Sequence, residues 1–545
     1  MASEPVNQLH ILLIPYLAPG HTIPMIHMAK LFAQRPNVIV TIVTTPLNAI
    51  RYGSTLQQHI KSGLSVRFLE LPFPATENGL PEGCESLDAL PGLHLVTNFT
   101  AAVDMLQQRL EQCFDSLNPR PSCMLSDKYL LWTGDTAAKC KIPLVIFDGM
   151  SCFKQLCTHH LYVSKVFNDL PKSEPFVLPG LPDRIEITRA QLPTEFNPSR
   201  FTMPERLERV RESESRAYGM VINSFEELEQ DYVNEFKKLK RGKVWCIGPL
   251  SLSKSNDSGK SLRGNSTSSD DQLYLKWLDS KEPGSVVYAC FGSISQITPP
   301  QLIELGLALE ASKSPFIWVI RAGDKAQEVE KWLSENGFEN RIKDRGLIIR
   351  DWAPQLLILS HPSVGGFLTH CGWNSVLEGV SAGVPMITWP QFTDQFLNEK
   401  LVVHVLGIGV GVGAPGVVHW GEEDRLGVTV KSEQVKTAIE KVMDPGSEGN
   451  ERRKKAKALG MVAKKAIEEG GSSHHNLTLL IQDLLELANV RSQKPLNSND
   501  QKKPAVSCVL AEHILIETNY AGTQSKVAFK VKICKQSHLK ILKWT

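Results

Sequence analysis

Apolar positions run in unbroken stretches near the start of the chain. "LHILLIPYL" (residues 9–17) has the continuous hydrophobicity of a strand buried on both faces, and "NVIVTIVTT" (37–45) repeats it with β-branched residues. Between them, "HTIPMIHMAKLFAQ" (21–34) mixes apolar and polar positions as an amphipathic helix does. Strand, helix, strand is a βαβ unit, and "SCMLSD", "IPLVIFD" and "GMVINSF" continue the series. The pattern predicts a doubly wound α/β domain over residues 1–250, with polar, proline-containing insertions at 74–92 and 169–205.

The pattern then lapses. "SLSKSNDSGKSLRGNSTSSDD" (251–271) holds almost no large apolar side chain and reads as a flexible linker or surface loop. A second series begins after it: "GSVVYACFGS", "SPFIWVIRA", "GLIIRDWAP", "VGGFLTHCG" and "VPMITWP", spaced by helical stretches such as "PPQLIELGLALEAS". Residues 272–470 are therefore expected to form a second α/β domain, and 471–490 a helical segment packing back toward the first. Two such domains facing one another leave a cleft between the carboxyl ends of their sheets, where open α/β folds bind ligands.

Composition alters this picture only at one end. Of the 545 residues, 42% are apolar and 22% charged, which is ordinary for globular domains. Residues 491–545 hold ten Lys/Arg against three Asp/Glu, so the formal net charge of +2 leaves −5 on residues 1–490. A mildly acidic body gives no electrostatic reason to expect nucleic acid. The basic extension carries no motif and is expected to lie outside the catalytic body. The 11 cysteines are scattered, with no Cys-x-x-Cys pair, and read as reduced thiols of a cytoplasmic protein. No apolar run reaches membrane-spanning length, and a monomer is expected.

Candidate chemistry gathers where strands give way to helices. In "LAPGHTIPM", Gly20 permits a turn and His21 opens the helix, whose partial positive charge lowers an imidazole pKa and suits it to general-base work. Asp127 ends the strand "CMLSD" and could orient His21 across the cleft; equally, it could cap the next helix. In the second domain, Ser293 follows "CFG", and "THCGWNS" sets His370, Asn374 and Ser375 around a glycine turn at a helix start, an arrangement suited to a diphosphate. Glu378, one turn on, is placed for ribose hydroxyls, and Trp352 offers a flat face to a base.

Residues 352–395, "WAPQLLILSHPSVGGFLTHCGWNSVLEGVSAGVPMITWPQFTDQ", closely resemble the signature box of plant secondary-product UDP-glycosyltransferases, along all 44 residues. The resemblance extends to His21, Asp127 and the two-domain layout, and implies the GT-B arrangement of two Rossmann-like domains. It implies that Trp352 stacks the uracil, that the Ala353 backbone and Gln355 hold base and ribose, and that Glu378 binds the ribose. Ser293, His370, Asn374 and Ser375 would surround the diphosphate; Trp373, Asp394 and Gln395 would face the sugar. A closing Gln, here Gln395, is associated with glucose donors. His21 and Asp127 match the family's base and its partner. The implied reaction is inverting transfer of glucose from UDP-glucose to a hydroxyl of a flavonoid, phenylpropanoid or triterpenoid, without cofactor or metal. Close relatives carry Asp where this chain has His27, which is expected on the surface of the first helix.

Three alternatives share parts of the pattern. A nicotinamide oxidoreductase would use "GIGVGVGA" (407–414) as its Gly-x-Gly-x-x-Ala loop, but Pro415 and Gly416 follow where a helix must start. A non-catalytic UDP-sugar-binding protein would not need His21 and Asp127. A sugar-nucleotide epimerase or hydrolase would not need an acceptor pocket, whose walls are expected around 78–110, 150–160 and 185–205.

Overall fold

A computed structural model describes residues 8–61, 63–198, 204–253, 268–292, 297–321, 324–350, 352–419, 422–492 and 510–511. The first half contributes β1 (Leu9–Ile14), β2 (Val38–Thr44), β3 (Val66–Glu70), β4 (Cys123–Asp127), β5 (Leu144–Asp148), a small hairpin of β6 (Pro175–Val177) and β7 (Glu186–Thr188), then β8 (Gly219–Ile222) and β9 (Val244–Cys246). The second half contributes β10 (Val286–Cys290), β11 (Phe316–Ile320), β12 (Gly346–Arg350), β13 (Val364–Thr369), β14 (Met386–Thr388) and β15 (Gly409–Gly411). Residues Leu510–Ala511 form β16.

The two large sheets repeat one topology. The first runs β3-β2-β1-β4-β5-β8-β9, all parallel, with β16 adding a two-residue antiparallel edge beside β3. The second runs β12-β11-β10-β13-β14-β15, again parallel. In each, winding reverses between the first strand and the fourth: at β1/β4, and at β10/β13. Loops diverge at such a reversal and open a crevice at the carboxyl ends of the strands. The apolar runs of the sequence become strands buried at every position, as in β1, β4, β5, β10 and β13.

The helix Ser472–Ser492 joins the packing of the first sheet. Its Leu477, Leu480, Ile481 and Leu484 share one apolar cluster with β1, β2 and the helix Pro19–Ala33. Asn476 Nδ2 donates to the Cys246 carbonyl at 3.0 Å and Lys243 pairs with Asp483 at 2.6 Å. Residues of the helix Pro19–Ala33 are buried on most sides in consequence, and His27 is buried with them, not on the surface as its sequence position suggests. The segment read as a linker over 251–271 is structured at both ends: Leu250–Leu252 make one 3-10 turn and the helix Ser268–Asp279 starts inside it. Residues 254–267, and the extension at 493–509 and 512–545, lie outside the described residues. No helix among the described residues is long and apolar enough to cross a membrane.

Candidate active site

His21 stands in the first turn of the helix Pro19–Ala33, directly after β1, and Asp127 ends the neighbouring β4. The topological reversal thus brings together residues 106 positions apart, with His21 Nδ1 2.7 Å from Asp127 Oδ2. Asp127 Oδ1 accepts the Tyr129 N–H at 3.0 Å, so both oxygens of this buried carboxylate are oriented. It caps no helix: the next one, Thr133–Lys139, has Trp132 at its N-cap. Tyr16 and Tyr129 set their rings edge-on to the imidazole at 5.6 and 5.8 Å.

The helix-dipole expectation for His21 is reversed. Burial does push its pKa down, but the charge and hydrogen bond of Asp127, helped by Asp148, outweigh burial and the opposing Lys128. The pKa of His21 therefore lies above the ordinary imidazole value. A hydrogen bond through Nδ1 leaves Nε2 to take a proton, and Asp127 stabilises the imidazolium that results.

Across the cleft, the second reversal places Gly292 after β10 and His370 after β13. The His370 ring is wedged between two glycines: a Cβ on Gly292 would come within 2.6 Å of it, and one on Gly372 closer still. Gly292 has φ +77°, open to glycine and strained for other residues. Burial lowers the His370 pKa to about 4, so the ring is neutral near pH 7 and can offer an N–H rather than a full charge. Its Nδ1 is buried without a partner among the described residues, an orphaned polar atom of the kind a ligand satisfies. Ser293 lies outside the described residues.

The helix Trp373–Ala382 begins beside His370 and is bonded to the short helix Gln355–Leu359. Gln355 Nε2 donates to Glu378 Oε2 at 2.5 Å and Ser375 Oγ at 3.2 Å, while Tyr288 OH donates to Gln355 Oε1 at 3.4 Å. Ala353 gives its carbonyl to the Gln355 N–H at 2.9 Å. Trp352 is half-buried with the Arg321 guanidinium 4.9 Å above its ring, so one aromatic face is covered by a cation.

Two residues of the turn reach the other domain. Trp373, expected to face the sugar, buries its indole and donates Nε1–H to the Asn223 carbonyl at the end of β8, at 2.7 Å. Asn374 Nδ2 donates to the Gly20 carbonyl at 2.8 Å, one residue from His21, and its Oδ1 accepts Asn223 Nδ2 at 3.4 Å. Asp394 and Gln395 open the helix Gln395–Lys400; Gln395 Oε1 accepts the N–H groups of Gln391 and Phe392 at 2.8 and 3.2 Å.

The structure therefore sets a bonded His–Asp pair at the carboxyl end of one sheet and, bonded to Gly20 beside it, a helix start with an unpartnered buried imidazole nitrogen at the end of the other. The family model described as "UDP-glucoronosyl and UDP-glucosyl transferase" matches residues 264–445. UDP-glycosyltransferase 73C6 of Arabidopsis thaliana is 50% identical over 494 residues, covering 90% of this chain and 99% of that protein. The chain belongs to the UDP-glycosyltransferase family. The solved structure of Glycyrrhiza uralensis UGT73P12 complexed with glycyrrhetinic acid 3-O-monoglucuronide is similar with a TM-score of 0.81 and 37% identity, covering 89% of this chain and 98% of that one. Phytolacca americana UGT2, solved with UDP-2fluoro-glucose and pterostilbene, gives 0.67 and 27% over 87% and 99%.

As a UDP-glycosyltransferase the protein has two α/β domains of the GT-B kind, and the oxidoreductase alternative loses its motif. Gly409–Gly411 of "GIGVGVGA" form the edge strand β15 rather than a phosphate loop. The sequence reading missed Asn223, whose only signal was its place at the end of the apolar run "GMVI". It also missed Asn398, four residues after Asp394 on a helix, a spacing that puts the two side chains on one face.

Proposed function

We propose that this UDP-glycosyltransferase transfers glucose from UDP-glucose, with inversion and without a metal, to a hydroxyl of a small lipophilic plant metabolite. The observation that carries this reading is the His21–Asp127 pair, held at 2.7 Å one residue from the Gly20–Asn374 bond to the donor-box helix. His21 Nε2 takes the proton of the acceptor hydroxyl as its oxygen attacks the anomeric carbon. The bond from that carbon to the UDP oxygen breaks on the opposite face, UDP leaves, and an α-linked donor becomes a β-glycoside. Asp127 holds the imidazolium. Charge developing on the diphosphate meets the N–H groups at the start of the helix Trp373–Ala382 and an N–H of His370, the role a metal would otherwise take.

Glucose as the donor is supported by Gln395 closing the box and by the fluoroglucose nucleotide bound to Phytolacca americana UGT2. With its Oε1 tied to the Gln391 and Phe392 N–H groups, the Gln395 amide nitrogen is left to donate to a sugar hydroxyl. A lipophilic acceptor is supported by the pterostilbene and glycyrrhetinic acid derivative bound to the two solved relatives. Catalysis beyond nucleotide binding is favoured by the oriented base pair. A cytoplasmic monomer completes the proposal.

The test offers purified protein UDP-glucose, UDP-galactose and UDP-glucuronate in competition, with a panel of flavonoid, stilbene and triterpenoid alcohols, with and without EDTA. We expect a β-glucoside by mass spectrometry and NMR, formed equally in EDTA. Preference for another donor, an α-linkage, or loss of activity in EDTA contradicts the corresponding part of the proposal.

A further inference from the structure

Asn398 lies on the helix Gln395–Lys400, four residues after Asp394, and is fully buried. Its Nδ2 donates to Asp394 Oδ2 at 2.6 Å and to the Cys371 carbonyl at 2.9 Å. Both neighbours on that side are acceptors, so the two N–H bonds of an amide nitrogen satisfy them and fix which way the amide faces. The amide oxygen on the other side is buried with no partner among the described residues. It is the nitrogen that holds this side chain in place, and its two bonds offset one unsatisfied oxygen.

Both acceptors occupy unusual positions. Asp394 is at the N-cap of its helix, where an aspartate ordinarily turns back onto the backbone N–H groups of the first turn. It makes no such bond. Thr393 Oγ1 donates to its Oδ1 at 2.9 Å, so Thr393 and Asn398 together hold the carboxylate away from its own helix. Cys371 follows His370 with φ +64°, a left-handed conformation without glycine, in the turn that begins the donor-box helix. One amide therefore ties the Asp394 carboxylate to the turn that carries His370.

We propose that Asn398 is a positioning residue for donor-sugar recognition. It sets the Asp394 carboxylate at a fixed place relative to the diphosphate turn, so that the carboxylate meets sugar hydroxyls instead of capping its helix. This rests on the reading of Asp394 as a sugar ligand. Its consequence is selective: UDP, which lacks the sugar, binds without Asp394, whereas a UDP-sugar needs Asp394 oriented.

The experiment measures the Kd of UDP by calorimetry, kcat and KM for UDP-glucose, and the UDP-glucose to UDP-galactose preference. The variants are Asn398→Ala, Asn398→Asp and Asp394→Asn. Asn398→Asp keeps the shape but turns a donor into an oxygen facing a carboxylate and a carbonyl. For both Asn398 variants we expect kcat/KM for UDP-glucose to fall about 10- to 100-fold, with the UDP Kd within about threefold of wild type and sugar preference shrinking toward that of Asp394→Asn. Equal losses of UDP affinity and UDP-glucose turnover, or failure of both variants to fold, assign Asn398 to the fold and overturn the inference. Unchanged UDP-glucose turnover in both, with a damaged Asp394→Asn, overturns it alone. If Asp394→Asn itself leaves turnover and sugar preference intact, the reading of Asp394 as a sugar ligand falls.

Discussion

Burial in the cleft acts to strip His21 of its proton, and the Asp127 carboxylate acts to keep it; the carboxylate prevails. A base must be deprotonated to work, so turnover should rise as pH climbs through a value above the ordinary imidazole pKa of about 6.5. Asp127→Asn removes both the charge and the fixed tautomer. The acid limb of the rate profile should then move to lower pH, and kcat should drop by about 10²–10⁴. A limb that stays in place in the variant assigns the titration to another group. At this scale the sequence displayed which residues end strands and open helices, because apolar runs stop where His21, Asp127 and His370 begin. It did not display which way side chains turn. Trp373 shows this: the family resemblance implied a sugar contact, while its indole reaches the Asn223 carbonyl 150 positions away.

Helix starts show the same limit between elements. The helix Cys152–Ser164, part of the expected acceptor wall, has its first three N–H groups satisfied by side chains. Ser151 Oγ accepts from Lys154, a local cap that sequence can suggest. Glu229 accepts from Cys152 at 3.1 Å and Phe153 at 2.6 Å across 77 and 76 positions, which no local pattern announces. Burial pushes the Glu229 carboxyl up to about 7, against the pull of Ser224 and those N–H groups. Its folded pKa is raised, so its contribution to stability is full below the unfolded value near 4.3 and fades as pH rises through about 7. Denaturation of wild type and Glu229→Gln across that range should show the wild type losing on the order of 3 kcal/mol relative to the variant. Parallel pH profiles for the two proteins contradict the assignment. His27 was misplaced for a related reason: its helix lacks a solvent face there because its surroundings pack over it, which one helix's periodicity cannot reveal.

For the whole molecule, two sheets with the same strand order place their reversals across one cleft, and the bonds Trp373–Asn223 and Asn374–Gly20 join the halves beside His21. The two α/β series were legible because the central strands of each, β1, β4 and β5 in one and β10 and β13 in the other, are fully buried apolar runs. The joining bonds were not, since they arise only once the domains are docked. The helix Ser472–Ser492 belongs to the first sheet's core, whereas β16 pairs with the outer edge at β3, two strands from β1. Truncation after Ser492 should therefore leave kcat/KM within about twofold of the full chain, and truncation before Ser472 should expose Leu477, Leu480, Ile481 and Leu484, each buried side chain worth about 1.5–3 kcal/mol, and yield insoluble or inactive protein. Activity lost on cutting after Ser492 would place the extension in the working enzyme. The most direct measurement compares His21→Ala with wild type in two assays, UDP affinity by calorimetry and glucoside formation from UDP-glucose. Glucoside formation should fall by at least about 10²-fold with the UDP Kd unchanged; near-normal transfer, or loss of UDP binding in step with transfer, would contradict His21 as the base.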